Sequence, residues 1–267
     1  MKYFLLLSLS LLAIAATAAP VRAVEVEQSD FIPFEPSDDD GNAGLFEDLA
    51  SPRDHIDIAF IGERFSGAKG MKQFHSDSKA FQEHLLTFEP FRSYAGVFRF
   101  HDVENEDLLG CSYSGRLVRC DNALAKRKIR AAKVPFDKLV VIVNSSVYGG
   151  SGGDISVSFN GARSEKVFVH EFGHSFGGLT DEYISHDGQG SQDNRVHANC
   201  FAGIPAAREW NPLVRLADYR LGCAYSNWYR SSPGSIMLSL NFNFFNPVSQ
   251  LILRNAIEGR LSGRIGN

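Results

Sequence analysis

The chain has 267 residues, 44% of them hydrophobic, which is enough apolar material to bury a full core in one domain or two closely packed lobes. Its formal net charge of -4 supplies no basic surplus, which argues against nucleic acid or an anionic membrane surface as a partner.

Met1 and Lys2 precede an apolar run from Phe4 to Ala16 and then the small residues Thr17, Ala18 and Ala19, the layout of an export signal. The run is shorter than the roughly 20 apolar residues that span a bilayer, so no stable membrane insertion is expected after its removal. Cleavage after Ala18 or after Ala23 fits the small-residue rule, giving a signal segment over residues 1–23. Residues 24–52 carry nine carboxylates and no lysine or arginine, and read as an acidic linker. A sharper alternative is a pro-segment whose acidic side chain reaches a metal. The folded domain is expected over residues 53–267. Four cysteines agree with a secreted or periplasmic location, where an even count usually means disulfides. Three pairings are open; joining Cys111 to Cys120 would staple a short hairpin around a Ser-Gly turn and leave Cys200 and Cys223 to close a second loop.

From Asp54 onward strands and helices alternate. His55 to Gly62 is a short β run, and Lys69 to Leu86 places Met71, Phe74, Phe81 and Leu85 on one face of a helix. Gly96 to Val103 reads as a strand, Asn122 to Lys133 as a basic helix, and Lys138 to Asn144 as a continuous apolar strand for the middle of a sheet. After the glycine-rich loop Tyr148 to Asp154, the alternation of Ile155 to Phe159 suggests an edge strand, against which an extended peptide can pair.

The chemistry is concentrated in HEFGHSFGGLTDEY, His170 to Tyr183. Residues four apart share a helix face, so His170 and His174 can present two imidazoles to one tetrahedral ion. Glu171 lies about 100° around the axis, placed to bond a water without ligating. Phe168, Phe172 and Phe176 form the opposite stripe. A bare HExxH recurs by chance, but here Gly177 and Gly178 can end the helix in a left-handed turn that returns the chain to the metal. Asp181 is the candidate third ligand and Glu182 the reserve. So short a return points to the metzincin arrangement.

HEFGHSFGGLTDEY resembles the active-site segment of the IgA-peptidase family M64. IDIAFIGERF is similar to that family's opening strand, and LVVIVNSSVYGGSGG to its strand and glycine loop before the active-site helix. The resemblance covers most of Asp54 to Leu240 and implies a zinc endopeptidase with two histidines and an aspartate on one Zn2+, which transfers to His170, His174 and Asp181. The usual metzincin spacing would fall on Gly177 and Thr180; threonine is a poor zinc ligand, so Gly178 and Asp181 are read as the operative pair. Glu63 and Arg64 stand where many relatives carry an aspartate and a glycine.

Downstream, Met237 in SIML fits the methionine turn beneath the metal, and Tyr229 is a candidate hydroxyl donor to the oxyanion. His55, His75, His84 and His101 are scattered among unrelated elements, and His186 and His197 sit in a polar loop. The resulting expectation is an α/β metzincin-like fold. It has a mixed twisted sheet, an active-site helix and a smaller irregular C-terminal lobe from Leu179 to a helix at Val248 to Leu261. The expected activity is hydrolysis of peptide bonds in a protein or peptide substrate, with Glu171 as general base. The alternatives are an exported zinc-containing binding protein without turnover and a cell-wall amide hydrolase.

Overall fold

The structure, a computed structural model, describes residues 53–186, 188, 190, 198–203, 210, 213–215 and 218–263. The export segment, the acidic stretch 24–52 and His197 lie outside the described residues.

Strand β1 (Ile56–Glu63) is buried along its whole length because both faces of the sheet are covered. Its side chains alternate: Ile56, Ile58 and Phe60 enter one apolar layer, Ala59 and Ile61 the other. β1 pairs in parallel with β2 (Phe98–Val103) and with β5 (Lys138–Val143), and β5 in parallel with β7 (Ser156–Phe159). The short β6 (Gly150–Ser151) runs antiparallel to β7 and bridges to the hairpin β3 (Ser112–Ser114) and β4 (Leu117–Arg119). The mixed sheet therefore reads β2-β1-β5-β7-β6-β4-β3. β5 is interior, as its apolar run requires. β7 is interior too, which corrects the edge-strand expectation for Ile155 to Phe159. Two residues of β6 cover its outer side, and a two-residue strand made largely of glycine and serine leaves no periodic signal.

Helix α1 (Gly67–Leu85), helix α3 (Ser164–Gly177) and helix α4 (Pro247–Leu261) pack on one face of the sheet, while α2 (Asn122–Ala131) covers the other. Asp121 caps α2 by accepting from the Leu124 amide at 2.9 Å, and Asn246 caps α4 by accepting from Ser249. Phe168 of α3 stacks on Phe81 of α1 with ring centroids 4.9 Å apart and meets Phe60 of β1 at 5.8 Å. Phe172 and Phe176 both contact Phe91. The phenylalanine stripe thus fastens α3 between sheet and helices.

The C-terminal part is less irregular than expected. Cys200–Phe201 (β8), Arg220–Cys223 (β9) and Tyr225–Arg230 (β10) form a small antiparallel sheet in the order β8-β10-β9. Disulfides join Cys111 to Cys120 at the base of the β3–β4 hairpin and Cys200 of β8 to Cys223 of β9. Among the described residues no helix is long and apolar enough to cross a membrane.

Replacing Phe168 by alanine removes a fully buried ring from the contact of α3 with both α1 and β1. The expected cost is about 3–5 kcal/mol of unfolding free energy, read from the shift in a urea transition with the disulfides intact.

Candidate active site

Because the phenylalanines of α3 recur every four residues on the core side, His170 and His174 emerge on the opposite side. Backbone carbonyls hold the inner nitrogens of both rings. Nδ1 of His170 donates to the Ile236 oxygen at 3.0 Å, and Nδ1 of His174 to the Leu179 oxygen at 2.6 Å. A carbonyl only accepts, so each Nδ1 carries its proton and each Nε2 offers a lone pair. The two Nε2 atoms lie 3.1 Å apart, and Oδ1 of Asp181 lies 3.1 Å from the first and 3.3 Å from the second. Lone pairs brought this close repel unless a proton or a cation sits among them. Two imidazole nitrogens and one carboxylate oxygen, all within 4.8 Å of one another, are a donor set that suits zinc.

Asp181 reaches the histidines because α3 stops at a left-handed glycine. Gly178 has φ of +64°, its amide donates to His174 at 2.9 Å, and the Leu179 amide donates to Gly173 at 3.3 Å. Burial works against ionisation of Asp181, but the two imidazoles it faces outweigh burial and hold this carboxyl well below the usual range. The next residue turns away. Oε1 of Glu182 accepts from Asn246 Nδ2 at 2.6 Å, Asn199 Nδ2 at 3.2 Å and Ser249 Oγ at 3.2 Å, in a fully buried site. Burial pushes its carboxyl up to about 7 despite those bonds. The reserve ligand is instead a hub that ties the metal loop to the start of α4.

Glu171 lines the cleft with the two histidines, and burial raises its carboxyl above the usual range while the imidazoles pull the other way. Met237 is fully buried under α3: a Cβ built on Gly173 would meet its sulfur at 2.9 Å. The same turn serves both ligand segments, since Ile236 holds His170 and the Met237 oxygen accepts from the Glu182 amide at 2.9 Å. The glycine loop presses on the helix from the other side. A Cβ at Gly152 would lie 2.4 Å from both the Glu171 oxygen and the His174 Cβ, so only glycine fits there.

An open cleft of about 780 Å³ contains these groups. The β3–β4 hairpin and the glycine loop line it from the sheet, and segments 178–181 and 238–240 line it from the C-terminal part. An extended peptide cannot pair with β7 as the sequence suggested, because that strand is interior. Tyr229 is also displaced from expectation. It pairs with Phe201 and Leu221 within β10 and packs on the cluster of Trp210, Val214 and Tyr219, outside the cleft lining. A tyrosine that does line the cleft is Tyr183, whose hydroxyl accepts from Arg116 Nη2. Tyr183 closes the motif visible in the sequence, but Arg116 in a hairpin turn gave no signal. Of the scattered histidines, His55 and His101 contact Asp57, and His75 sits between Asp102 and Glu104, all away from the cleft.

The family model for IgA Peptidase M64 matches residues 46–236. Among solved structures, an archaemetzincin from Methanopyrus kandleri is similar over 48% of this chain and 76% of its own, at 19% identity and a TM-score of 0.32. A search of the curated proteins gives no match.

Replacing Glu182 by alanine strands the Asn199, Asn246 and Ser249 donors in a buried site. Chemical denaturation should show a loss of about 2–4 kcal/mol, well beyond that of Asp181→Asn, which leaves this hub intact.

Proposed function

The chain belongs to the IgA peptidase M64 family of zinc metallopeptidases, and from that premise we propose that it is an exported endopeptidase with one catalytic Zn2+. The observation that carries the reading is the convergence of His170 Nε2, His174 Nε2 and Asp181 Oδ1 beside Glu171 in an open cleft. These three residues are the proposed ligands. When bound, zinc supplies Lewis acidity: it lowers the pKa of a water toward ~7 and polarises a carbonyl.

The chain's own residues do the rest. Glu171 takes the proton of the attacking water and delivers it to the leaving amine, so one carboxyl acts as base and then acid. Ile236 and Leu179 keep both imidazoles in the tautomer that frees Nε2. The cleft is open rather than a closed chamber, which suits an internal segment of a longer peptide. Export is supported by the signal-like run Met1 to Ala23 and by the two disulfides, which favour an oxidising compartment. A secreted or periplasmic location follows.

The test is digestion of a mixed peptide library by the purified protein beside two variants, with zinc measured in each. Glu171→Ala should keep its zinc and lose about 10²–10⁴-fold in rate. Asp181→Ala should lose zinc as well as activity. Chelation should abolish cleavage by the parent protein, and added zinc should restore it. Zinc binding with no cleavage of any peptide by the parent protein would refute the reading.

A further inference from the structure

The rim of the cleft carries two cations that form no ion pair with a carboxylate among the described residues. β4 alternates, so Val118 is buried while Leu117 and Arg119 face out and line the cleft. Arg116, in the turn before them, lines it as well. Both arginines are exposed. Their support is fixed: the Cys111–Cys120 disulfide closes the hairpin, and the Ser151 hydroxyl donates to the Val118 carbonyl, joining β4 to the glycine loop. Arg116 reaches the segment beyond the helix, where its guanidinium lies 5.0 Å from the centre of the Tyr183 ring and donates to the Tyr183 hydroxyl. Tyr183 is two residues beyond Asp181 and lines the same cleft, so Arg116 stands beside the segment that carries the proposed ligand.

Arginine ion pairs among the described residues involve Arg53, Arg64, Arg92, Arg99 and Arg215. Arg116 and Arg119 are not among them. The carboxylates lining the cleft are Glu171 and Asp181, both committed beside the histidines. A guanidinium is weakly hydrated and offers five N–H donors in a plane that matches a carboxylate, and the bond to Tyr183 leaves Arg116 donors to spare. In open water such a pair contributes little. A peptide lying in the cleft excludes water from the pair and strengthens it.

We propose that Arg116 and Arg119 form a subsite that selects a substrate with an acidic side chain close to the scissile bond. The assignment rests on the peptidase reading above and adds the substrate class to it. A lysine at the same substrate position meets two like charges and is excluded, so acidic segments are cut in preference to basic ones.

The experiment first locates a cleaved bond in a peptide library, then compares kcat/KM for peptide sets that differ only by Glu, Gln or Lys within two residues of that bond. With the full chain loaded with zinc, Glu should exceed Gln by about tenfold or more at one position, the scale of a charge-assisted bond. Lys should fall below Gln, and the Glu preference should shrink as salt is raised. Arg116→Gln and Arg119→Gln should each move the Glu-to-Gln ratio toward one, and Arg119→Glu should favour the Lys peptide. The ratio within one protein cancels differences in folding or zinc content between variants. Equal cleavage of Glu and Gln peptides at every position, or a ratio unmoved by either arginine variant, would overturn the subsite and leave the peptidase standing. No cleavage of any peptide would overturn both.

Discussion

Two hydrogen bonds at the inner nitrogens of His170 and His174 are the constraint on which the rest of the site depends. Each imidazole has two nitrogens, and a ring free to choose its tautomer would offer a metal an N–H as readily as a lone pair. The carbonyls of Ile236 and Leu179 remove that freedom. They also decide where the remainder of the chain must go. Leu179 can bond back to His174 because Gly178 takes a left-handed conformation one residue after α3 ends, and Ile236 can bond His170 because the methionine turn is packed beneath Gly173. The same two bonds that set the ring orientation therefore tie the helix to the loop that carries Asp181 and to the turn below it.

The two sides of the cleft are held by different means. On the sheet side, rigidity comes from the parallel core strands and from the phenylalanine stripe that clamps α3 against Phe60 and Phe81. The β3–β4 hairpin extends this side and is closed by a disulfide. The C-terminal side is built on the small sheet β8-β10-β9 and on a buried polar hub. Glu182 gathers Asn199, Asn246 and Ser249 from two separate segments, and the Cys200–Cys223 disulfide joins the strands on either side of β10. A buried carboxyl with three donors fixes position more sharply than apolar contacts do, because each donor has a direction. Asp181 and Glu182, adjacent in the chain, divide the work: one faces the histidines and the other anchors the loop that presents it.

Arg116 and Tyr183 join the two sides across the cleft mouth. The pair places a cation at the cleft lining, and the hairpin that bears it also bears Arg119. In the proposed reading the helix and its return loop carry the chemistry and the hairpin rim the discrimination.

The sequence by itself determined the features that repeat or that need a particular residue. The period-four histidines and phenylalanines of α3, the apolar run of β5, the glycine that ends the helix and the hairpin bracketed by Cys111 and Cys120 are all local, and local rules read them correctly. The alternation of Ile155 to Phe159 suggests an edge, yet β7 is covered by the two-residue β6, because pairing is a property of the sheet rather than of the strand. Tyr229 is a candidate because the Tyr-Arg pair resembles a family segment preceding the methionine, yet β10 turns it toward Trp210 and Tyr219. The choice between Asp181 and Glu182, both ionisable and adjacent, was left open by composition and spacing. Tertiary structure separated them by surroundings, one carboxyl between two imidazoles and the other among buried amide and hydroxyl donors. Arg116 joined the site only when the folded hairpin brought residue 116 against residue 183. Such contacts between distant segments depend on how the layers pack, and no periodicity within either segment encodes them.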